Sequence, residues 1–115
     1  MGTDELAEQL ISNPRWAWQE GMRDRAGVRV VDLDLWDGTG ALPDLDDFAT
    51  AGVLLGALAA GDWLSDVVRQ GDDWIVAVDV GSEGLKGWAA ESLGRAAAYA
   101  MLAVWETPSG QAGEA

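Results

Sequence analysis

The chemistry open to this chain is narrow. It contains no cysteine and no histidine. That excludes disulfides, thiolate nucleophiles, Cys/His zinc sites and imidazole acid–base steps. Carboxylates, guanidinium groups and indoles remain. Four of the seven basic residues, Arg15, Arg23, Arg25 and Arg29, fall in one stretch that also holds Trp16 and Trp18. Guanidinium binds phosphate or carboxylate in a bidentate fork, and both guanidinium and indole stack on planar rings. These six residues are the place where the chain could hold an anionic, aromatic small molecule. The plainer reading is that the arginines pair with carboxylates, within a subunit or across an interface.

Acidic residues number 20 against seven basic ones, a formal net charge of −13. Binding to nucleic acid or to an anionic membrane is therefore not expected. Between Arg29 and Arg69 there is no base, and Asp32, Asp34, Asp37, Asp44, Asp46, Asp47, Asp62 and Asp66 lie in that span. Such a span reads as a solvated face. Its sharper reading is a surface that presents carboxylates as nucleic acid presents phosphates. In that reading Asp32, Asp34, Asp37, Asp44, Asp46 and Asp47 dock on a basic protein.

No reaction-class constellation assembles from these groups. Asp32-x-Asp34-x-x-Asp37-Gly38 approaches a calcium loop, but its third Asp is one place late. Pro43 stands where the bidentate Glu is needed. Gly81-Ser82-Glu83-Gly84-Leu85-Lys86-Gly87 lacks the spacing and the Lys-Ser/Thr pair of a phosphate loop. Asp37-Gly38-Thr39-Gly40 differs from the Asp-Thr-Gly of aspartic proteases and has no second copy. The chain is read as a non-enzyme with no cofactor and no metal.

The elements that must position these groups are legible along the chain. The 115 residues, 49% of them apolar, fit one domain with one core. Residues 1–106 are read as that domain and 107–115 as a disordered tail. Thr3 is expected to cap a helix to Ser12, with Leu6, Leu10 and Ile11 as its stripe and Asn13-Pro14 as its stop. A strand is expected over Val28–Trp36, with Val31, Leu33 and Leu35 facing the core and Asp32 and Asp34 facing away. Asp47 should cap a helix over Phe48–Ala60, buried along Ala51, Leu54, Leu55 and Leu58 and stopped by Gly61. Trp63–Arg69 and Trp74–Val80 read as an antiparallel hairpin about Gly71. Gly87–Glu91 reads as a short strand or a lead into the last helix. Ser92 should cap that helix, which runs to Trp105. The expected class is α+β: about three antiparallel strands, two to three helices packed on one face, in the order α-β-α-β-β-α.

Two whole-chain expectations complete this picture. MGTDELAEQL is acidic where a signal peptide is basic, and the apolar run Ala51–Gly61 is about half a bilayer span. A soluble, cytoplasmic protein is expected. Seven tryptophans exceed what one small core needs, so some should line a pocket or an oligomer contact. With opposite charges held in separate segments, this points to a homo-oligomer.

Several segments taken together are familiar. They are Asn13-Pro14-Arg15-Trp16-Ala17-Trp18 with Gly21-Met22; Leu42-Pro43-Asp44-Leu45-Asp46-Asp47 with Ala49-Thr50-Ala51-Gly52; and Ser92-Leu93-Gly94-Arg95-Ala96 leading to Trp105-Glu106. The chain resembles small phage- and prophage-encoded accessory proteins of GC-rich bacteria. Phe48 stands where that pattern has Pro. The resemblance implies an α+β fold and a phage accessory role, and it supplies no functional residue. Small phage accessory proteins often counter host defence. Two mechanisms are then compatible with the chain. The first, favoured by the local Arg/Trp segment, sequesters a nucleotide-like signal in a pocket between subunits. The second blocks a basic defence protein with the acidic span. An accessory subunit without a defence role is the third reading.

Overall fold

Local caps decide where the helices begin. In the computed structural model, which describes residues 2–36, 41–81 and 84–106, helix α1 spans Thr3–Ser12 and buries Leu6, Ala7 and Leu10. Its N-cap is Gly2, without a side-chain hydrogen bond. Thr3 is thus the first helical residue and not the cap. Helix α2 spans Phe48–Ala60. The Asp47 carboxylate accepts from the Thr50 amide at 2.9 Å, which satisfies one orphan donor of the first turn. The buried stripe of α2 is Thr50, Ala51, Leu54 and Leu58, with Leu55 half-buried. Gly61 caps its end at φ −88°, and the left-handed residue of the turn is Asp62 at φ 63°.

The sheet is antiparallel in the order β1-β2-β3. Strand β1 is Leu64–Gln70, β2 is Asp73–Asp79 and β3 is Leu85–Ala90. Gln70 pairs with Asp73, so Gly71 and Asp72 alone form the hairpin loop. Gly71 takes φ 63° there, a conformation that glycine adopts without strain. β3 is a full strand against β2, with Trp88 opposite Val76. Ser92 then accepts from the Arg95 amide and opens helix α3, Leu93–Glu106.

The core lies where α3 meets the sheet. Val76 and Val78 of β2 are buried beside Ala96, Ala97, Ala100, Met101 and Val104 of α3. Small side chains let α3 approach closely. α2 packs on α3 and touches β1, and α1 packs on α3. Gly94 sits so close to Leu45 that a Cβ there would land on the Leu45 carbonyl oxygen.

The α+β class is observed, as a three-stranded antiparallel sheet with three helices. The expected order is corrected in two places: no strand forms before α2 among the described residues, and β3 follows the hairpin, which gives α-α-β-β-β-α. Val28–Trp36 is not a strand. Arg29 makes an isolated bridge to Arg23, and the chain then enters a one-turn 3-10 helix at Leu33–Leu35. The Asp32 carboxylate accepts from the Asp34 amide at 3.0 Å, a local turn that competes with a strand ladder. Val31, Leu33 and Leu35, expected in the core, are exposed instead. The tail expected over 107–115 lies outside the described residues.

Candidate functional site

The arginine-rich segment folds back on itself as a small hairpin-like loop. Val30 donates its amide to the Met22 carbonyl, and Gly21 donates to the Val30 carbonyl. Residues 23–25 are also bonded to 42–44: Arg25 donates to Leu42 and Asp44 donates to Arg23. This pairing brings the basic segment against the acidic one. Arg29 forks onto Asp47 at 2.6 and 3.1 Å and also donates to the Gly21 carbonyl. Arg25 pairs with Asp4 of α1. Arg23 approaches Asp44 at 3.9 Å. Arg95 of α3 forks onto Asp46, both contacts at 3.1 Å.

These pairs set the electrostatics. Arg29 holds the Asp47 carboxyl down to about 2, against the opposing effect of burial and with help from Thr50. The guanidinium of Arg29 is raised in turn, chiefly by that hydrogen bond. Burial pushes the Asp46 carboxyl up, but hydrogen bonds from Arg95 and Ser92 outweigh it and leave it lowered. Thr50, fully buried, joins the two halves: its hydroxyl donates to Asp47 and accepts from the Arg23 amide. Asp44, Asp46 and Asp47 therefore bind arginines of their own chain.

The six residues expected to form one ligand site are consequently divided. Arg23, Arg25 and Arg29 face carboxylates. Trp18 stands between Trp16 and Trp36, with ring centroids 5.5 and 5.1 Å away. Arg15 and Trp16 line a cleft of about 140 Å³ together with Trp63 and Trp105. Neither of those two was singled out from the sequence. They come from the start of the sheet and the end of α3, and no local spacing links them to Trp16. All seven tryptophans are half-buried and pack on the rim of the core. The buried indole nitrogens of Trp16 and Trp36 have no hydrogen-bond partner.

The acidic residues divide as well. Asp32 and Asp34 are exposed, and Asp37 lies outside the described residues. Asp32 and Asp34 sit among exposed apolar side chains. Val31 is 80% exposed, Leu35 84% and Val28 51%, with Leu33 at 45%. Side chains of this size normally leave water, so a group of them left exposed is a candidate contact surface. Residues 31–35 thus form a ledge that alternates valine and leucine with aspartate, and Val28 stands exposed beyond the buried Val30 and the Asp47-bound Arg29.

A second, more open groove of about 530 Å³ runs between α1 and the end of α3 and carries Glu5, Glu8 and Glu106. Its charge disfavours an anion. Among the described residues no three carboxylates are gathered to hold a metal ion. No helix among them is long and apolar enough to cross a membrane. Comparison with protein-family models, with curated proteins and with solved structures found no match.

Proposed function

We propose that this chain is a non-catalytic accessory protein that docks on a basic protein through the ledge at residues 31–35. One observation carries the proposal. Val31 and Leu35 are 80% and 84% exposed while Asp32 and Asp34 alternate with them. An apolar strip gives an interface its centre, and flanking charge gives it a polar rim and a fast encounter. A net charge of −13 selects a cationic partner. On the resemblance to phage accessory proteins, the partner we propose is a host protein of the bacterial cytoplasm, a defence protein first.

Sequestration of a whole nucleotide-like signal is the weaker reading. Three of its four arginines face carboxylates. The cleft at Arg15 and Trp16, about 140 Å³, is well below the roughly 300 Å³ at which pockets for drug-sized ligands begin.

The test uses a photo-crosslinking residue at position 33, in the wild-type background and with Leu35→Ser. The expected result is a cross-link to one basic protein that Leu35→Ser abolishes and that weakens as salt is raised. A cross-link to a second copy of this chain, or capture unchanged by Leu35→Ser, overturns the proposal.

A further inference from the structure

We infer that the cleft bounded by Arg15, Trp16, Trp63 and Trp105 is a binding site for a single planar ring that carries an anionic group. This site is separate from the ledge and does not depend on it.

Size sets the first limit. The cleft offers about 140 Å³. A dry apolar cavity of about 150 Å³ accepts benzene. A single six-membered ring matches that volume. The walls set the second. Three indoles and the Met101 thioether line the space. Aromatic faces and sulfur both favour contact with a ring. Leu54 and Ala57 of α2 close the remaining side.

Charge sets the third limit. Arg23, Arg25 and Arg29 each face a carboxylate, but among the described residues no carboxylate pairs with Arg15. Among the described residues no acidic residue lines the cleft, although the chain carries 20 of them. Arg15 is exposed, so its guanidinium meets solvent where a ring substituent would emerge. Gln19 lines the same cleft and supplies an amide donor and acceptor. Apolar walls with a free guanidinium and one amide select a ring with a carboxylate or phosphate attached. A ring carboxylate and a pyrimidine nucleotide share that chemistry.

The experiment is titration of tryptophan fluorescence with benzoate, uridine 5′-monophosphate and benzyl alcohol. Three of the seven indoles line the cleft, so occupancy changes the signal. A saturable change with benzoate or with the nucleotide is expected, and which of the two binds tighter identifies the source of the anion. Benzyl alcohol should bind about tenfold more weakly, and Arg15→Ala should lose about tenfold for the anions only, the scale of one charge-assisted hydrogen bond. Arg15 is exposed, so its truncation leaves the fold intact. Ala57→Leu, which fills the cleft, should remove binding, with circular dichroism as the check on folding. No saturable change with either anion overturns the site. Equal binding of benzyl alcohol, or indifference to Arg15→Ala, overturns its anionic half.

Discussion

At the scale of single residues, Asp47 carries the most. Its carboxylate caps α2, accepts from the Thr50 hydroxyl and holds Arg29 in a fork. Asp47→Ala removes all three contacts and leaves the Thr50 hydroxyl and Arg29 short of an acceptor. A loss of about 2 kcal/mol is expected, at the upper end for a lost cap. Asp47→Asn keeps an oxygen for the cap and loses the charge, so about half of that is expected. Denaturant unfolding of the two variants checks the order. The same residue sets an acid limit. Its carboxyl is depressed to about 2 in the folded chain, so the unfolded chain binds its proton first as pH falls. The stability from this pair is fully present above about pH 4 and is lost between about pH 4 and 2. The wild type should therefore weaken through that window more steeply than Asp47→Asn, as unfolding midpoints measured across it would show. Equal slopes would mean that the Arg29 fork is not formed in solution.

At the scale of elements, two glycines of helices separate packing from propensity. Gly94 opens α3 against the Leu45 backbone, where no Cβ fits. Gly94→Ala should push α3 off the 42–46 segment and cost on the order of 3 kcal/mol, the upper range for overpacking. Gly52 of α2 is exposed with open space around it. Gly52→Ala should stabilise by up to about 1 kcal/mol, the difference in helix propensity. Thermal melts of both variants test this contrast. The elements also show what sequence pattern can carry. α2 was legible because its signals are local: Asp47 before the stripe, Thr50 within reach, Gly61 after it. The hairpin was legible from Gly71 between two β-rich runs. The stretch 28–36 misled because alternation states only that two faces differ. Whether a strand forms depends on a neighbour to pair with, and here Asp32 turns the chain first. Charge balance offered carboxylate pairing of Arg23, Arg25 and Arg29 as the plainer of two readings, but not the partners: Arg25 pairs with Asp4, outside the acidic span. The cleft was not legible, because Trp16, Trp63 and Trp105 meet only through the packing of three separate segments.

At the scale of the whole molecule, the acids fall into two groups that one experiment can separate. Asp44, Asp46 and Asp47 face Arg23, Arg95 and Arg29 inside the chain. Asp32 and Asp34 are exposed on the ledge, between side chains that water surrounds. Charge reversal should therefore act differently in the two places. Asp34→Lys reverses one charge of the ledge, touches no ion pair among the described residues and leaves the Asp32 turn in place. Its melting temperature should match the wild type within a few degrees, while its association with a basic partner slows by about tenfold at low salt. Asp46→Lys opposes Arg95 and removes a bidentate contact at the start of α3. It should lower the melting temperature first and affect association only through the fold. Raising ionic strength should erase the ledge effect, because exposed charges are screened within about 10 Å at 0.1 M salt. It should leave the apolar contribution of Val31 and Leu35 in place. Stopped-flow association rates across a salt series, with melts run beside them, read both quantities. If the ledge variant associates as fast as the wild type, the acidic span only keeps the protein in solution. Recognition then rests with the exposed valines and leucines.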